Sequence, residues 1–227
     1  MTLALVTGAS RGIGLATARA LADRGCCLAL LGRDSPRLRA AQTNFQSGGA
    51  ATSVFPCDLA DSGQITTTME QLLDSQGTPD VLVNNAGVAV RATVAETSLE
   101  SFDTHIAVNL RAPFLLARAV LPGMLQRGSG RIVNVASISS TLGSPRQSAY
   151  NASKWGLLGF MKSLAEELRD TGLMTVAILP GSVDTDMLRG SGFAPRMTAE
   201  DVARTLVHFA LDAPVAHNGG VIEMFGV

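Results

Sequence analysis

Residues 3–14 read LALVTGASRGIG, an apolar run that leads directly into three closely spaced glycines. The run has the composition of a buried strand, and a segment of helical period follows from Leu15. Glycines at a strand-to-helix turn let the main chain approach a pyrophosphate, to which the helix N-terminus offers free N–H groups. A plain tight turn has the same glycines, but this position between a first strand and a helix is the context that a dinucleotide site requires.

Beyond this stretch, short apolar runs alternate with longer segments of helical period. The candidate strands are Leu3–Val6, Cys27–Leu31, Thr52–Phe55, Val81–Val83, Arg131–Val135, Met174–Leu179 and Val221–Met224. Candidate helices include Ser35–Gln46, Ile65–Asp74, Leu115–Gln126 and Ala152–Arg169. Because continuously apolar strands separated by helices indicate a parallel sheet covered on both faces, we expect a Rossmann-like, doubly wound, seven-stranded α/β sheet. No linker or repeat interrupts the pattern, so we expect one domain over residues 1–227.

Composition narrows the possible partners. The chain has 227 residues, of which 46% are hydrophobic and 16% charged, and its net charge of −1 gives no reason to expect nucleic acid or an anionic membrane. No uninterrupted apolar run has the roughly 18–20 residues needed to span a bilayer. No basic segment precedes the first apolar stretch, so a secretion signal is not expected. These features predict a cytoplasmic protein, with an organelle matrix left open.

Cysteine and histidine carry little information here. The three cysteines, Cys26, Cys27 and Cys57, are odd in number, which favours free thiols in a reducing compartment. The three histidines are scattered without metal-ligand spacing, so no metal is expected.

Further motifs follow the glycine turn in order. They are Asp58-Leu59, Asn84-Asn85-Ala86-Gly87, Asn109, Ser137, Tyr150 with Lys154, and Pro180-Gly181 with Val183 and Thr185. With these motifs and the spacing Gly-x-x-x-Gly-x-Gly, the chain resembles the short-chain dehydrogenase/reductase family over essentially its whole length. The resemblance implies hydride transfer between a nicotinamide cofactor and a carbonyl or alcohol. The predicted cofactor contacts are Gly8, Ser10, Arg11, Gly12, Ile13, Gly14, Arg33, Asp58, Leu59, Asn85, Ala86, Gly87, Tyr150, Lys154, Pro180, Gly181, Val183 and Thr185.

Tyr150 and Lys154 are the predicted chemical centre. Tyr150 is the only tyrosine, and Lys154 is one of two lysines in a chain with sixteen arginines. Residues four apart share a helix face, which by itself also describes an ordinary surface pair. A free tyrosine has a pKa near 10, so a neighbouring ammonium is expected to lower it for acid–base work near neutrality. The resemblance implies that Lys154 also holds the nicotinamide ribose.

Ser137 and Asn109 complete the predicted catalytic group. Ser139 and Ser140 crowd the same loop, but only Ser137 lies 13 positions before Tyr150, as the family resemblance implies for the serine that fixes the substrate carbonyl. The resemblance implies that the Asn109 carbonyl holds a water linked to Lys154. Pro113, four residues on, has no N–H for that carbonyl. Either one helix runs through Pro113, or Pro113 starts a new helix.

The residues after the second strand favour NADPH over NADH. Gly32 stands where an NAD site usually has a carboxylate for the ribose hydroxyls. Arg33 and Arg11 could bind a 2′-phosphate through charge-assisted hydrogen bonds; the alternative is that both are solvated surface charge. Asp34 could bind ribose or cap the helix that opens at Ser35.

The substrate-facing loop is expected between Asp186 and Met197. It is short, and its apolar Met187, Leu188 and Phe193, together with Val88 and Leu142, predict a partly open apolar pocket in which no acid-binding arginine can be placed.

The chain is similar to carbonyl reductases and to 3-oxoacyl-[acyl-carrier-protein] reductases. The latter often have a basic residue where this chain has Thr171, and Arg127, Arg131 and Arg169 remain candidates for contact with an acidic carrier. The substrate is therefore expected to be a small carbonyl or alcohol, carrier-bound or free. A homodimer or homotetramer is expected, with a dimer formed through Leu115–Gln126 and Ala152–Arg169.

Other function classes fit less well. A sugar-nucleotide epimerase on the related extended fold needs a longer substrate region, and an enoyl reductase usually spaces its tyrosine and lysine more widely. A non-catalytic dinucleotide sensor would be expected to lack Tyr150 or Lys154. That sensor and an NAD-dependent alcohol dehydrogenase remain the alternatives.

Overall fold

The computed structural model describes residues 1–33 and 35–226. Within these residues, seven strands form one sheet in the order β3-β2-β1-β4-β5-β6-β7. The strands are β1 Leu3–Thr7, β2 Cys27–Gly32, β3 Thr52–Pro56, β4 Val81–Asn84, β5 Gly130–Val135, β6 Leu173–Pro180 and β7 Val221–Met224. Every neighbouring pair is parallel, so the predicted Rossmann-like doubly wound sheet is confirmed.

Helices follow the strands along the chain. They are α1 Gly12–Asp23, α2 Pro36–Ser47, α3 Ser62–Gln76, α4 Leu99–Ile106, α5 Ala112–Arg127, α6 Ser148–Glu167 and α7 Ala199–Val207. The four helices delimited from the sequence correspond to α2, α3, α5 and α6, with ends that differ by one to four residues. Ser35 caps α2, since its hydroxyl accepts a hydrogen bond from the Leu38 N–H. Asp34, the alternative cap, lies outside the described residues.

The core has two layers, one on each face of the sheet. Side chains from α1, α2 and α7 pack on one face, including Leu21, Leu38 and Leu206. Side chains from α3, α5 and α6 pack on the other face, including Leu72 and Leu116. Because both faces are covered, a central strand such as β6 is buried along its whole length. This explains why the strands are continuously apolar in sequence.

The segment Leu99–Arg127 is one helix that contains a π-helical turn at Ala107–Arg111. Arg111 and Ala112 both have right-handed helical backbone angles, so the helix runs through Pro113 instead of starting there. In the described part of the chain this is the one helix long and apolar enough, by length and composition, to cross a membrane. Its most apolar window has a mean hydropathy of 1.2, and 44% of that window is buried inside the protein, as in a helix that packs on a sheet.

Candidate active site

The loops after β1 and β4 meet at the carboxyl edge of the sheet. β1 and β4 are neighbours, but β1 leads to a helix on one face and β4 to a helix on the other. Such a point is where open α/β sheets bind ligands. Thr7 ties the two loops together, because its hydroxyl accepts from the N–H groups of Asn85 and Ala86 at 2.9 and 3.0 Å. The Asn85 side chain donates back to the Thr7 carbonyl at 2.8 Å.

The glycine turn between β1 and α1 has no room for side chains. Gly8 and Gly12 adopt positive φ angles of 67° and 53°. A Cβ on Gly14 would lie 2.4 Å from the Gly8 carbonyl oxygen. Arg11 precedes α1 with no side-chain cap, so the first N–H groups of that helix remain available to an anion. The turn therefore fits the pyrophosphate of a dinucleotide.

The loop after β6 closes one side of this turn. Gly181 donates to the Met224 carbonyl, and Val183 forms a bridge with Met197. The Thr185 methyl group lies 3.2 Å from the position of a Cβ on Gly12, so the predicted contacts Thr185 and Gly12 do meet. Residues 181–198 contain turns and isolated bridge positions but no helix, in agreement with the short substrate-facing loop expected from sequence.

Two further predicted contacts lie after β3. The Asp58 side chain is exposed and accepts from the Ala60 N–H at 2.9 Å through Oδ1. Leu59 is buried, with 7% of its surface exposed. Both sit at the same edge of the sheet as the glycine turn, as the sequence motifs predicted.

Arginines gather where the 2′-phosphate of NADPH was expected. Arg11 donates to the Asp186 carboxylate at 2.7 Å, and Arg37 and Arg189 lie 3.6 and 3.3 Å from the same carboxylate. The hydrogen bond from Arg11 is the main reason that the pKa of Asp186 lies below its ordinary value. Arg33 is exposed and has no hydrogen bond or ion pair with the described residues.

Ser137, Tyr150 and Lys154 form a second cluster at the same edge. Ser137 follows β5, and its hydroxyl accepts from the Ser139 N–H at 3.1 Å. Tyr150 lies in the first turn of α6, and Lys154 follows one turn later. The Lys154 ammonium donates to the Val135 carbonyl at 2.8 Å and lies 5.9 Å from the centre of the Tyr150 ring. All three side chains are at least 91% buried, with exposed fractions of 9%, 8% and 4%.

The electrostatics of Tyr150 differ from the sequence expectation. Burial raises its pKa, while a hydrogen bond with Ser137 and the charge of Arg91 act in the opposite direction. The shift comes from these groups and not from Lys154, whose ammonium donates to the Val135 carbonyl. Burial also lowers the pKa of Lys154 to about 8, so this lysine can change its protonation near neutrality.

Asn109 holds the loop after β4 against α6 through its side chain. Its amide nitrogen donates to the Val88 carbonyl and to the Ser153 hydroxyl, each at 2.9 Å. Its amide oxygen accepts from the Val88 N–H, also at 2.9 Å. Ser153 in turn donates to the Tyr150 carbonyl at 2.7 Å. The side chain thus positions the residues around Tyr150, a role that the sequence argument about the Asn109 carbonyl did not anticipate.

Two arginines at the site were missed by sequence reasoning. Arg37 lies near the site because it pairs with Asp186, and the one feature of the sequence that could have indicated it is its position in the first turn of α2. Arg91 donates to the Met187 carbonyl at 3.2 Å and is close enough to Tyr150 to affect its pKa. Its signal is its position four residues after Gly87, in the loop that follows a strand.

The basic residues considered for an acidic carrier make other contacts. Arg127 donates to the carbonyls of Thr78 and Pro79, and Arg131 donates to the Ala213 carbonyl. Arg169 pairs with Glu166 at 2.7 Å. Arg127 and Arg131 lie at the amino end of β5, away from Ser137 at its carboxyl end.

Comparison with known proteins agrees with this geometry. The family model described as short chain dehydrogenase matches residues 2–193. The chain belongs to the short-chain dehydrogenase family. It is therefore an oxidoreductase.

Relatives in this family align over nearly the whole chain. A 3-oxoacyl-[acyl-carrier-protein] reductase of Synechocystis is 34% identical, over 96% of this chain and 92% of the relative. A D-beta-hydroxybutyrate dehydrogenase of Rhizobium meliloti is 37% identical, over 98% and 96%. Among solved structures, a putative NAD(P)-dependent gluconate 5-dehydrogenase of Beutenbergia cavernae with bound NADP superimposes with a TM-score of 0.91 and 33% identity. That superposition covers 98% of this chain and 94% of the other.

Proposed function

We propose that the protein is an NADPH-dependent reductase that converts a ketone or 3-oxoacyl carbonyl to the alcohol, reversibly. The observation that carries this proposal is the convergence of Ser137, Tyr150 and Lys154 beside a glycine turn that has no room for side chains. The names of the relatives, a 3-oxoacyl reductase and dehydrogenases of D-beta-hydroxybutyrate and gluconate, support a ketone–alcohol interconversion. The substrate is a small carbonyl compound, free or bound to an acyl carrier.

The protein side chains handle the proton. When bound, NADPH supplies the hydride that the carbonyl carbon receives. Tyr150, protonated at neutral pH, donates its phenolic proton to the carbonyl oxygen. The hydrogen bond with Ser137 and the charge of Arg91 favour this donation, because they oppose the rise in the phenol pKa that burial causes. The Ser137 hydroxyl donates a hydrogen bond to the same oxygen and holds it in place. Lys154 replenishes the proton, for which a pKa of about 8 is well suited.

The residues that would hold NADPH are those at the carboxyl edge of the sheet. The glycine turn and the N-terminus of α1 would hold the pyrophosphate, and Asp58 and Leu59 would lie against the adenine. Arg33, Arg11 and Arg37 would bind the 2′-phosphate, because guanidinium groups form strong charge-assisted hydrogen bonds with phosphate. Gly32 offers no carboxylate to repel that phosphate.

The cofactor choice is tested with kcat/KM for NADPH and NADH, measured with one reducible ketone from a panel followed by nicotinamide absorbance. Arg33→Ala should weaken NADPH use by about 10- to 100-fold, as expected for a lost charged hydrogen bond, and leave NADH use nearly unchanged. Gly32→Asp combined with Arg33→Ala should reverse the preference. Arg169→Ala, at an exposed arginine paired with Glu166, is the control. A wild-type enzyme that uses NADH as well as NADPH would overturn the choice.

We further propose a single catalytic domain that assembles as a homodimer through α5 and α6. Phe114 and Leu125 on α5 and Trp155 on α6 are 45%, 46% and 52% exposed, which is unusual for large apolar side chains on covered helices. The three cysteines are free thiols, which suits the reducing cytoplasm.

A further inference from the structure

Arg91 is a partly buried arginine whose charge has no counter-ion among the residues that the structure describes. No carboxylate of the described residues forms an ion pair with it. Its Nε is shielded from solvent and has no hydrogen-bond partner among those residues, and Nη2 has only the Met187 carbonyl, at 3.2 Å. A guanidinium has five N–H donors, and buried charges are normally paired. The described residues therefore give this guanidinium one hydrogen-bond acceptor and leave its shielded Nε without one.

Two acidic residues, one five positions after Arg91 and one just before Met187 in sequence, have other partners. Glu96 accepts hydrogen bonds from the Thr93 side chain and main chain, and Asp186 is held by Arg11. Neither carboxylate therefore neutralises the charge of Arg91 in this structure.

The backbone on both sides of Arg91 is fixed. The Val90 N–H donates to the His105 ring nitrogen Nε2 at 3.0 Å. The Ala92 N–H donates to the Arg146 carbonyl at 3.0 Å, and Ala92 bridges to Gln147 just before α6. The unsatisfied guanidinium thus projects from a held loop, which is the arrangement that a binding site requires.

Arg91 also lies beside the reacting groups. Its partner Met187 places its terminal methyl group 3.9 Å from the position of a Cβ on Gly87, and Lys154 Nζ lies 3.7 Å from that same position. The positive charge of Arg91 reaches Tyr150, where it partly opposes the rise that burial causes in the pKa of the phenol. Leu142, Met187 and Phe193, all more than 40% exposed, are the apolar residues of the neighbouring loops.

We propose that Arg91 binds the carboxylate of the substrate, so that the enzyme acts on a short oxo acid and its hydroxy acid. This inference rests on the proposed reductase function and names its substrate class. A carboxylate suits the site because it carries one negative charge, equal to that of one arginine, and because its two oxygens match the guanidinium fork. A neutral ester or thioester would leave the charge of Arg91 uncompensated.

The test compares kcat/KM for a straight-chain oxo acid with kcat/KM for its methyl ester. The acids run from 2-oxobutanoate to 5-oxohexanoate, so that the distance between the carbonyl and the carboxylate varies. For the best acid, the wild-type ratio of kcat/KM, acid over ester, should exceed about 10 and should fall about 10- to 100-fold in Arg91→Gln. The ratio cancels any general effect of the substitution on Tyr150 or on folding. Arg91→Lys should retain part of the ratio, and Arg146→Gln, at an exposed arginine on the adjacent loop, should keep all of it. Equal losses for acid and ester would overturn the inference.

A binding experiment separates this inference from the proposed function. Butanoate and butanamide are titrated calorimetrically into the NADP⁺ complex of the wild type and of Arg91→Gln. Wild-type preference for butanoate that disappears in Arg91→Gln supports the carboxylate site even if no carbonyl in the panel is reduced, in which case only the reductase proposal fails. Reduction of neutral ketones without any preference for acids would sustain the reductase and overturn the role of Arg91.

Discussion

Lys154 combines two properties that an arginine could not supply. The residue is 96% buried, its ammonium donates to the Val135 carbonyl, and burial lowers its pKa to about 8. Arginine remains charged under all ordinary conditions, so it could neither tolerate this burial by losing its proton nor exchange a proton near neutrality. This explains why a chain with sixteen arginines has a lysine here.

The buried ammonium should make stability depend on pH in a defined direction. The folded-state pKa of about 8 lies below the ordinary value of 10.5, so between these values the unfolded state binds more protons. The free energy of unfolding of the wild type, relative to Lys154→Met, should therefore rise as pH increases from 7 to 10.5, by about 3 kcal/mol in total. Urea unfolding of both proteins at several pH values measures this difference. A difference that stays constant with pH would show that Lys154 is not buried as a charged group.

Ser137 should matter more than its neighbours. Ser137→Ala removes the hydroxyl that faces Tyr150, and kcat should fall by about 10²–10³, as for other lost oxyanion contacts. Ser140→Ala is a matched control, because the Ser140 hydroxyl is buried without a partner among the described residues and its removal should cost little. Steady-state kinetics with one ketone measures both. A similar loss of kcat in Ser139→Ala would show that the assignment of the carbonyl contact to Ser137 is wrong.

At the scale of residues, the sequence predicted which side chains lie together where a fixed spacing links them. It did not predict contacts that only the folded chain brings about. The interval between Ser137 and Tyr150 selects one serine of three, and the structure brings these two side chains together. Arg37 and Arg91 have no such interval. Arg37 joins the site through Asp186, 149 positions later, and Arg91 through Met187, 96 positions later. Such contacts depend on loops that only the folded chain brings into register.

At the scale of elements, the long helix Leu99–Arg127 shows that the local effect of a proline does not by itself decide where a helix begins. Pro113 removes one main-chain donor, and the sequence left open whether the helix continues. The structure continues it with a π-helical turn in which Ala112 bonds to the Ala107 carbonyl, one residue further back than in an α-helix. Packing of this helix on the sheet, with Leu116 and Val120 buried, stabilises the continuous form. Tertiary packing of this kind is not readable from the proline alone.

The loop between β6 and α7 is held to the glycine turn by Asp186, and this contact should compete with the cofactor. Asp186 forms an ion pair with Arg11, the arginine that we propose binds the 2′-phosphate. Asp186→Asn should therefore tighten NADPH binding by about 2- to 5-fold, in keeping with the modest strength of exposed ion pairs, and leave NADH binding unchanged. Fluorescence titration with both cofactors measures this. Weaker NADPH binding in the variant would mean that Asp186 supports the site instead of competing for it.

At the scale of the whole molecule, the sheet was the most predictable feature. Strands buried on both faces are apolar throughout, so each of the seven is recognised in sequence to within one residue of its observed ends. Helix ends were less certain, because capping and packing against neighbours set them. The relation of one copy of the chain to another is not encoded in these local patterns and rests on the exposed apolar side chains of α5 and α6.

Those side chains predict the oligomeric state. Light scattering at micromolar concentration should give at least twice the monomer mass of 23.6 kDa. Phe114→Glu, on the exposed face of α5, should shift the protein toward monomer without loss of circular dichroism, whereas Phe193→Glu in the substrate-facing loop should not. A wild-type mass near 23.6 kDa would contradict the dimer.

We propose that Tyr150 donates the proton in an NADPH-dependent carbonyl reduction, and Tyr150→Phe removes this one proton donor. The measurement pairs kcat for one reduced ketone with the dissociation constant of NADPH, determined by fluorescence on the same preparation. We expect kcat to fall by about 10²–10⁴, the usual contribution of a general acid, and NADPH affinity to stay nearly unchanged, because only the hydroxyl is lost. Retention of more than about a tenth of the wild-type kcat would contradict the assignment of Tyr150 as the acid.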